Sequence, residues 1–265
     1  MARPVIALLT DFGLSDHYVA AMKGVILGIC PDVTLLDITH DIPPQDILSG
    51  ALELEAVAPY LPDHTIVVGV VDPGVGSTRR AVAIESRAGL RCVGPDNGLF
   101  APVVEAGGIE KAVEISNPAF MRATVSKTFE GRDRFAPAAA WLASGVDLSA
   151  LGRQIDGLHA LGIPAPVQSL EGIDGEVLRV DRFGNLMTNI GEESLEAWTE
   201  GVEVFVGDVR IGHLTSTYGD SAPGACCALV GSAGRLEIAV NSGHAANRLG
   251  VGRGVHVHVR RLGRA

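Results

Sequence analysis

Basic runs, phosphate loops, metal-ligand spacings and long apolar stretches are all missing from this chain of 265 residues. The formal net charge is −10, with 21 Lys and Arg against 31 Asp and Glu. No Lys/Arg run is long enough to track a phosphate backbone, which argues against nucleic acid as a partner. An acidic protein instead favours a cationic small molecule. Neither GxGxxG nor GxxxxGK[ST] occurs, and Gly74-Val75-Gly76 has no third glycine at the required place. A nucleotide carrying a polyphosphate is therefore disfavoured, and a nucleoside without phosphates stays open. No GxSxG elbow or HExxH pair is present. His256-Val-His258 would set two imidazoles on one strand face, but without a clear third ligand no metal is expected. No apolar run approaches about 18 residues, so no membrane span is expected. The N-terminus reaches Asp11 too soon for a signal peptide. Cys30, Cys92, Cys226 and Cys227 show no CxxC spacing, and the adjacent pair suits buried apolar positions. Reduced thiols and a cytoplasmic location are expected.

What remains is a chain that is 47% hydrophobic and 20% charged, with 33 glycines. It can bury a substantial core and suits one large or two modest domains. Apolar runs at residues 5–10, 33–38 and 65–71 read as strands, with shorter ones at 81–85 and 91–93. Residues 17–30, with Asp16 as a candidate cap, and 45–58 have helical spacing, which returns near 134–143. Strands alternating with helices predict an N-terminal α/β domain over residues 1–160 with a mostly parallel central sheet. Residues 161–172, rich in Gly and Pro, read as a linker. Short β-type runs from 173 to 265 predict a small β-sandwich or barrel.

The most informative stretch is Val71-Asp-Pro-Gly-Val-Gly-Ser-Thr-Arg-Arg80. A buried-strand pattern ends on a carboxylate, Asp72. A Pro-Gly-x-Gly turn then returns Arg79 and Arg80 toward it. Stiff turns at strand C-termini are where open α/β folds build small-molecule sites, although a surface salt bridge beside an ordinary turn would read the same way. Acids recur at successive strand ends: Asp11 after the first, Asp37, Asp41 and Asp46 near the second, Asp72 after the third, and Asp96 further on. Any one of them could equally cap a helix. An Asp after a first strand suits two hydrogen bonds to ribose hydroxyls. In the second half, Asp181-Arg-Phe-Gly-Asn185 places a polar loop between strands. Asn185 offers the donor and acceptor that an adenine edge needs, or an Asx-type turn.

Taken in order, Leu9-Thr-Asp-Phe-Gly13, Asp37-Ile-Thr-His40, Val71-Asp-Pro-Gly-Val-Gly76, Gly94-Pro-Asp-Asn-Gly-Leu99, Gly131-Arg-Asp133 and Phe183-Gly-Asn185 with Thr188-Asn189 carry a resemblance over nearly the whole chain. The sequence is similar to the S-adenosylmethionine hydroxide adenosyltransferases, adenosine-forming hydrolases related to the fluorinase and chlorinase enzymes. The resemblance implies a homotrimer whose sites lie between one subunit's N-terminal domain and a neighbour's C-terminal domain. It implies S-adenosylmethionine as substrate, no cofactor, and attack of activated water on the ribose 5′ carbon. Asp11 would bind the ribose hydroxyls, and Asp72 and Arg79 would belong to an Asp-Arg-His water-activating set. Asp181 would hold the methionine ammonium, with Ser232 near its carboxylate and Tyr18 close by. Asn185 and the backbone at Ser242 would read the adenine edge, and Tyr218 would stack on its face. Packing roles for the tyrosines and a turn role for Ser232 are the plain alternatives.

One position departs from the family. Glu130 in Thr128-Phe-Glu-Gly-Arg-Asp133 stands where the family carries His. A glutamate, ordinarily near pKa 4.3, is a weaker base than histidine. Beside Asp72 it would form a like-charge pair, relieved by a shared proton or by Arg79 and Arg132. The halogenating relatives replace the Asp of Asp72 by Tyr, so a carboxylate there disfavours a halide, whereas Gly131 matches the chlorinase-like pattern. A non-catalytic S-adenosylmethionine or adenosine binder is the other reading.

Overall fold

Ile6, Ala7, Leu8 and Leu9 are all fully buried, so the first strand is covered on both faces and reads as an unbroken apolar run rather than an alternation. A computed structural model describes residues 3–196 and 201–262. The chain divides into two compact units, Met1–Leu161 and Gly162–Ala265.

The first unit contains β1 (Val5–Thr10), α1 (Tyr18–Ile29), β2 (Thr34–Thr39), α2 (Ile47–Val57), β3 (Ile66–Val70), β4 (Ala81–Ser86) and β5 (Arg91–Pro95). It continues with α3 (Ala101–Gly107), β6 (Ile109–Ile115), α4 (Ala136–Ala143) and β7 (Gly152–Gln154). Its sheet has the order β2-β1-β3-β5-β4-β6-β7. The α/β class holds, and the sheet is mixed. The pairs β1–β2, β1–β3 and β3–β5 are parallel, whereas β5–β4, β4–β6 and β6–β7 are antiparallel. The change of direction comes from β4 and β5, which a tight turn joins without a crossover helix. Ile6 and Leu8 face α1 and α4 with Met22, Ile26 and Phe135. Ala7 and Leu9 face α2 and α3 with Leu54, Leu99 and Phe100, as the two-residue period of a strand requires.

Two local expectations change. Asp16 does not cap α1, whose N-cap position is His17 without a side-chain cap bond. The last helix of the unit begins two residues later than its spacing suggests, because a π-helical turn, Gly131–Phe135, precedes α4.

The second unit contains β8 (Val167–Gln168), β9 (Gly172–Val180), β10 (Leu186–Gly191), α5 (Glu192–Glu196), β11 (Val202–Val206) and β12 (Val209–Gly212). Then follow β13 (Cys226–Val230), β14 (Arg235–Val240), α6 (Ala245–Leu249) and β15 (His256–Arg261). Its antiparallel sheet runs β12-β11-β15-β9-β10-β14-β13. Leu214, just past β12, bridges Ala228 in β13 and nearly closes the sheet into a barrel. β8 pairs with β9, so the stretch read as linker already contributes a strand. All four cysteines are free, and burial pushes the Cys92 thiol up to about 12. Among the described residues, no helix is long and apolar enough to cross a membrane.

β3 and β5 approach closely where both carry glycine. A Cβ on Gly94 would lie 2.2 Å from the Gly69 carbonyl oxygen and 2.8 Å from the Phe100 ring. Neither neighbour is free to retreat, since both belong to the core layer. Gly94→Ala is therefore expected to destabilise the protein by about 2–3 kcal/mol, read as a lower urea midpoint with an unchanged slope. A midpoint equal to wild type contradicts this packing.

Candidate active site

Parallel pairing of β1 with β3 sets Thr10 opposite Val70. The residues just past these strands, Asp11 and Asp72, therefore emerge at the same sheet edge, where open parallel sheets bind ligands. The turn after β3 is held from inside: the Val75 amide donates to the Asp72 carbonyl at 3.3 Å, and the Ser77 hydroxyl to the Gly74 carbonyl at 2.6 Å. Asn97 anchors the strand end by donating to the Val71 carbonyl at 2.8 Å. Gly76 has φ +76°, and a Cβ there would lie 2.3 Å from the Lys127 carbonyl oxygen. Glycine at this position lets the Asp72 turn lie directly against the segment leading to Glu130.

Arg79 returns to Asp72 as expected. Its Nε donates to both carboxylate oxygens, at 2.9 and 3.0 Å. Its Nη2 donates to Asp72 Oδ2 and to Glu130 Oε2, the latter at 2.6 Å. Arg80 does not join it. Its side chain points to Asp96, at 2.7 Å, and to the Gly157 carbonyl. Glu130 is buried and immediately precedes the π-helical turn, a wide turn often found at functional sites. Arg132 closes on Asp133 with two bonds of 2.7 Å, so it does not neutralise Glu130. Arg134 does, with Nη2 3.6 Å from Glu130 Oε1. The Arg134 Nε is buried with no hydrogen-bond partner among the described residues. Two guanidinium groups thus face the Asp72/Glu130 pair, and Arg79 stacks 5.3 Å from the Phe135 ring centroid. Burial pulls the Arg79 pKa down, but Asp72 and Glu130 outweigh it, and the net shift is upward.

Asp11, Tyr18, Asp72 and Glu130 line one cavity of about 390 Å³, together with Phe12, Gln45, Thr128, Phe129 and Gly131. Gln45, with φ +67°, donates its amide to Asp11 Oδ2 at 2.8 Å. Burial raises the Asp11 pKa, the backbone amides partly offset this, and the nearby Asp72 charge adds to it. Phe12, Tyr18 and Phe129 form an aromatic wall, Tyr18 meeting Phe129 edge-on at 5.0 Å. Phe12, Phe129, Gln45 and Arg134 are not among the residues expected from the sequence. The first two flank Asp11 and Glu130 in the chain, and that adjacency was the available signal. Other strand-end acids have structural partners. Asp37 binds Lys23 and His40, Asp46 caps α2 through the Ser49 amide, and Asp96 takes Arg80 and the His159 amide.

The remaining five expected residues lie in the second unit. Asp181 closes the β9–β10 loop by accepting from the Phe183 and Asn185 amides at 2.9 and 2.8 Å. The Asn185 side chain donates to Asp181 Oδ2 at 3.1 Å, so the Asx-type turn is present. Tyr218 donates to the buried Glu237 at 3.0 Å. Burial, then the Glu237 charge, push its phenol up to about 12, and Asp181 acts on both groups. Ser242 sits at φ +56°, a costly conformation outside glycine. Ser232 is exposed in the β13–β14 connection. His256 and His258 do share a strand face, and both bond Asp174 Oδ1, at 2.9 and 2.8 Å. Among the described residues, no group of three or more His, Cys, Asp or Glu is placed to hold a metal ion.

Removing the shared guanidinium leaves two buried carboxylates with Arg134 as their remaining cation. Arg79→Met is expected to destabilise the protein by about 3–5 kcal/mol, and Arg79→Met/Glu130→Gln to recover part of that loss. Urea unfolding of the pair checks this. A double variant less stable than the single one contradicts it.

Both units have counterparts among known sequences, in the same order along the chain. The model of the SAM hydroxide adenosyltransferase N-terminal domain matches residues 6–152, and that of the C-terminal domain matches residues 175–258. A protein from Salinispora tropica named (R)-S-adenosyl-L-methionine hydrolase is 40% identical over 97% of both chains. One of the same name from Thermus thermophilus is 40% identical over 97% of this chain and 99% of its own. A protein named fluorinase from Nocardia brasiliensis is 29% identical over 97% of each chain. The crystal structure of an uncharacterized conserved protein from Thermotoga maritima superimposes with a TM-score of 0.91 at 36% identity, covering 97% of this chain and all of that one. With both domain models matched in order and this identity held over nearly its full length, the chain belongs to the S-adenosylmethionine hydroxide adenosyltransferase family.

Proposed function

We propose that this protein hydrolyses S-adenosylmethionine to adenosine and L-methionine. The observation that carries this reading is the Arg79-bridged pair of Asp72 and Glu130 in one cavity with Asp11. Water attacks the ribose 5′ carbon in line with the C5′–S bond, and the bonding electrons leave on sulfur as a neutral thioether. The leaving group needs no proton, so the protein has only to align the reactants and take one proton from water. Asp72 and Glu130 are the acceptors for that proton. Arg79 and Arg134 offset part of their charge, so the two carboxylates can sit together beside the attacking water. Asp72 in turn disfavours a halide as nucleophile. Asp11 accepts from the ribose hydroxyls, and the aromatic wall of Phe12, Tyr18 and Phe129 suits a sulfonium cation.

Asp181, Asn185, Tyr218, Ser232 and Ser242 complete the substrate site, Asp181 for the ammonium and Tyr218 for the adenine face. A homotrimer with sites between neighbouring subunits is part of the proposal and rests on the resemblance. No cofactor enters the reaction. Four free thiols suit a reducing, cytoplasmic compartment.

Three outcomes test the reading. Incubation with S-adenosylmethionine in buffered chloride should release adenosine and methionine; 5′-chloro-5′-deoxyadenosine as main product, or tight binding without release, would overturn it. Glu130→His should add an ionisation near pH ~6.5 to the rate profile, and a profile superimposable on wild type would remove Glu130 from the chemistry. Because burial lifts the Asp11 pKa above 3.8, acidification protonates this hydroxyl acceptor early. KM should rise as pH falls, while Asp11→Asn shows a high KM with no such slope.

A further inference from the structure

His40 is a buried imidazole that lies outside the cavity, yet two of its atoms tie down the segment that carries Asp11 and a third anchors the ring on Asp37. Its Nδ1 meets the Thr10 hydroxyl at 2.8 Å, its Nε2 meets Asp37 Oδ1 at 3.1 Å, and its carbonyl accepts from the Gly13 amide at 2.7 Å. The Thr10 hydroxyl oxygen also accepts from the Phe12 amide at 3.3 Å. Asp11 is thus flanked on both sides by groups that end on His40.

The strand pairing makes this possible. β1 and β2 pair in parallel with Leu8 opposite Asp37, but Leu9 lies opposite Thr39. Regular pairing would have set His40 beside Asp11; the one-residue slip sets it beside Thr10. The imidazole therefore meets a neighbour of Asp11 and leaves the Asp11 carboxylate to the cavity and the Gln45 amide.

The protonation pattern is consistent. Lys23 binds the other oxygen of Asp37 at 2.7 Å. Burial raises the Asp37 pKa, but Lys23 and His40 outweigh it, and the carboxylate stays ionised. An ionised carboxylate can only accept, so Nε2 carries a proton, and in the neutral ring Nδ1 accepts from Thr10. Thr10 and His40 are both buried, where an unmade hydrogen bond costs most.

We infer that His40 is a positioning residue for Asp11, fixing the ribose-binding carboxylate through Thr10 and Gly13. This rests on the reading of Asp11 given above. KM, kcat and equilibrium affinity for S-adenosylmethionine test it in the full-length protein with His40→Asn, His40→Gln and Thr10→Val, each alone and with Asp11→Asn. Asparagine places its amide at the Nδ1 position and keeps the Thr10 link; glutamine reaches the Nε2 position and keeps only the Asp37 link. His40→Gln and Thr10→Val should raise KM about tenfold with kcat within about threefold, and His40→Asn should stay near wild type. In the Asp11→Asn background none should raise KM further. Unchanged KM in His40→Gln and Thr10→Val, or the same increment with and without Asp11, would overturn the inference. If His40→Gln does not fold by circular dichroism, Thr10→Val, which removes one hydroxyl, carries the same expectation. A wild-type protein that binds S-adenosylmethionine without turnover would fail the proposed reaction, and the affinities would still decide the role of His40.

Discussion

One guanidinium nitrogen, Arg79 Nη2, bonds to Asp72 and Glu130 at once, and the candidate site depends on that contact. Two carboxylates held this close and this buried would repel each other and lose their hydration. The shared cation offsets both costs and fixes the two groups as one unit. Arg134 adds a second positive charge on the far side of Glu130. Neither arginine is free to leave. Arg79 comes from a turn that Gly76 holds against the Lys127 backbone, and Arg134 comes from the π-helical turn that leads into α4.

The sheet supplies the other constraint. Parallel pairing brings Asp11 and Asp72 to a common edge, and the crossover helices cover both faces, so these side chains follow directly on strands buried from both sides. Within this frame Glu130 meets two cations, Arg79 and Arg134. Reversal of strand direction between β5 and β4 leaves the edge intact, since the four neighbouring strands β2, β1, β3 and β5 remain parallel.

Much of this was legible in the chain. The run into Asp72 reads as a buried strand ending on a carboxylate, and the glycine turn foretells the return of Arg79. The class of both domains follows from periodicity. What was hidden depends on contacts between distant segments. Arg80 and Arg132 look as available as Arg79 and Arg134 in the sequence. Their partners are Asp96, 16 residues on from Arg80, and Asp133, next to Arg132 in a π-helical turn that no periodicity announces. The acids at strand ends look alike in sequence, yet Asp11 and Asp72 line the cavity and Asp37 and Asp96 do not. The slip that sets His40 beside Thr10 is likewise a property of pairing and leaves no local mark.

The most direct measurement is the fate of solvent oxygen. With S-adenosylmethionine in water enriched in oxygen-18, the 5′-hydroxyl of the released adenosine is expected to carry the label and methionine to form in equal amount, and Asp72→Asn to abolish both. Unlabelled adenosine, or label incorporation at the wild-type rate in Asp72→Asn, would contradict water activation at the Asp72/Glu130 pair.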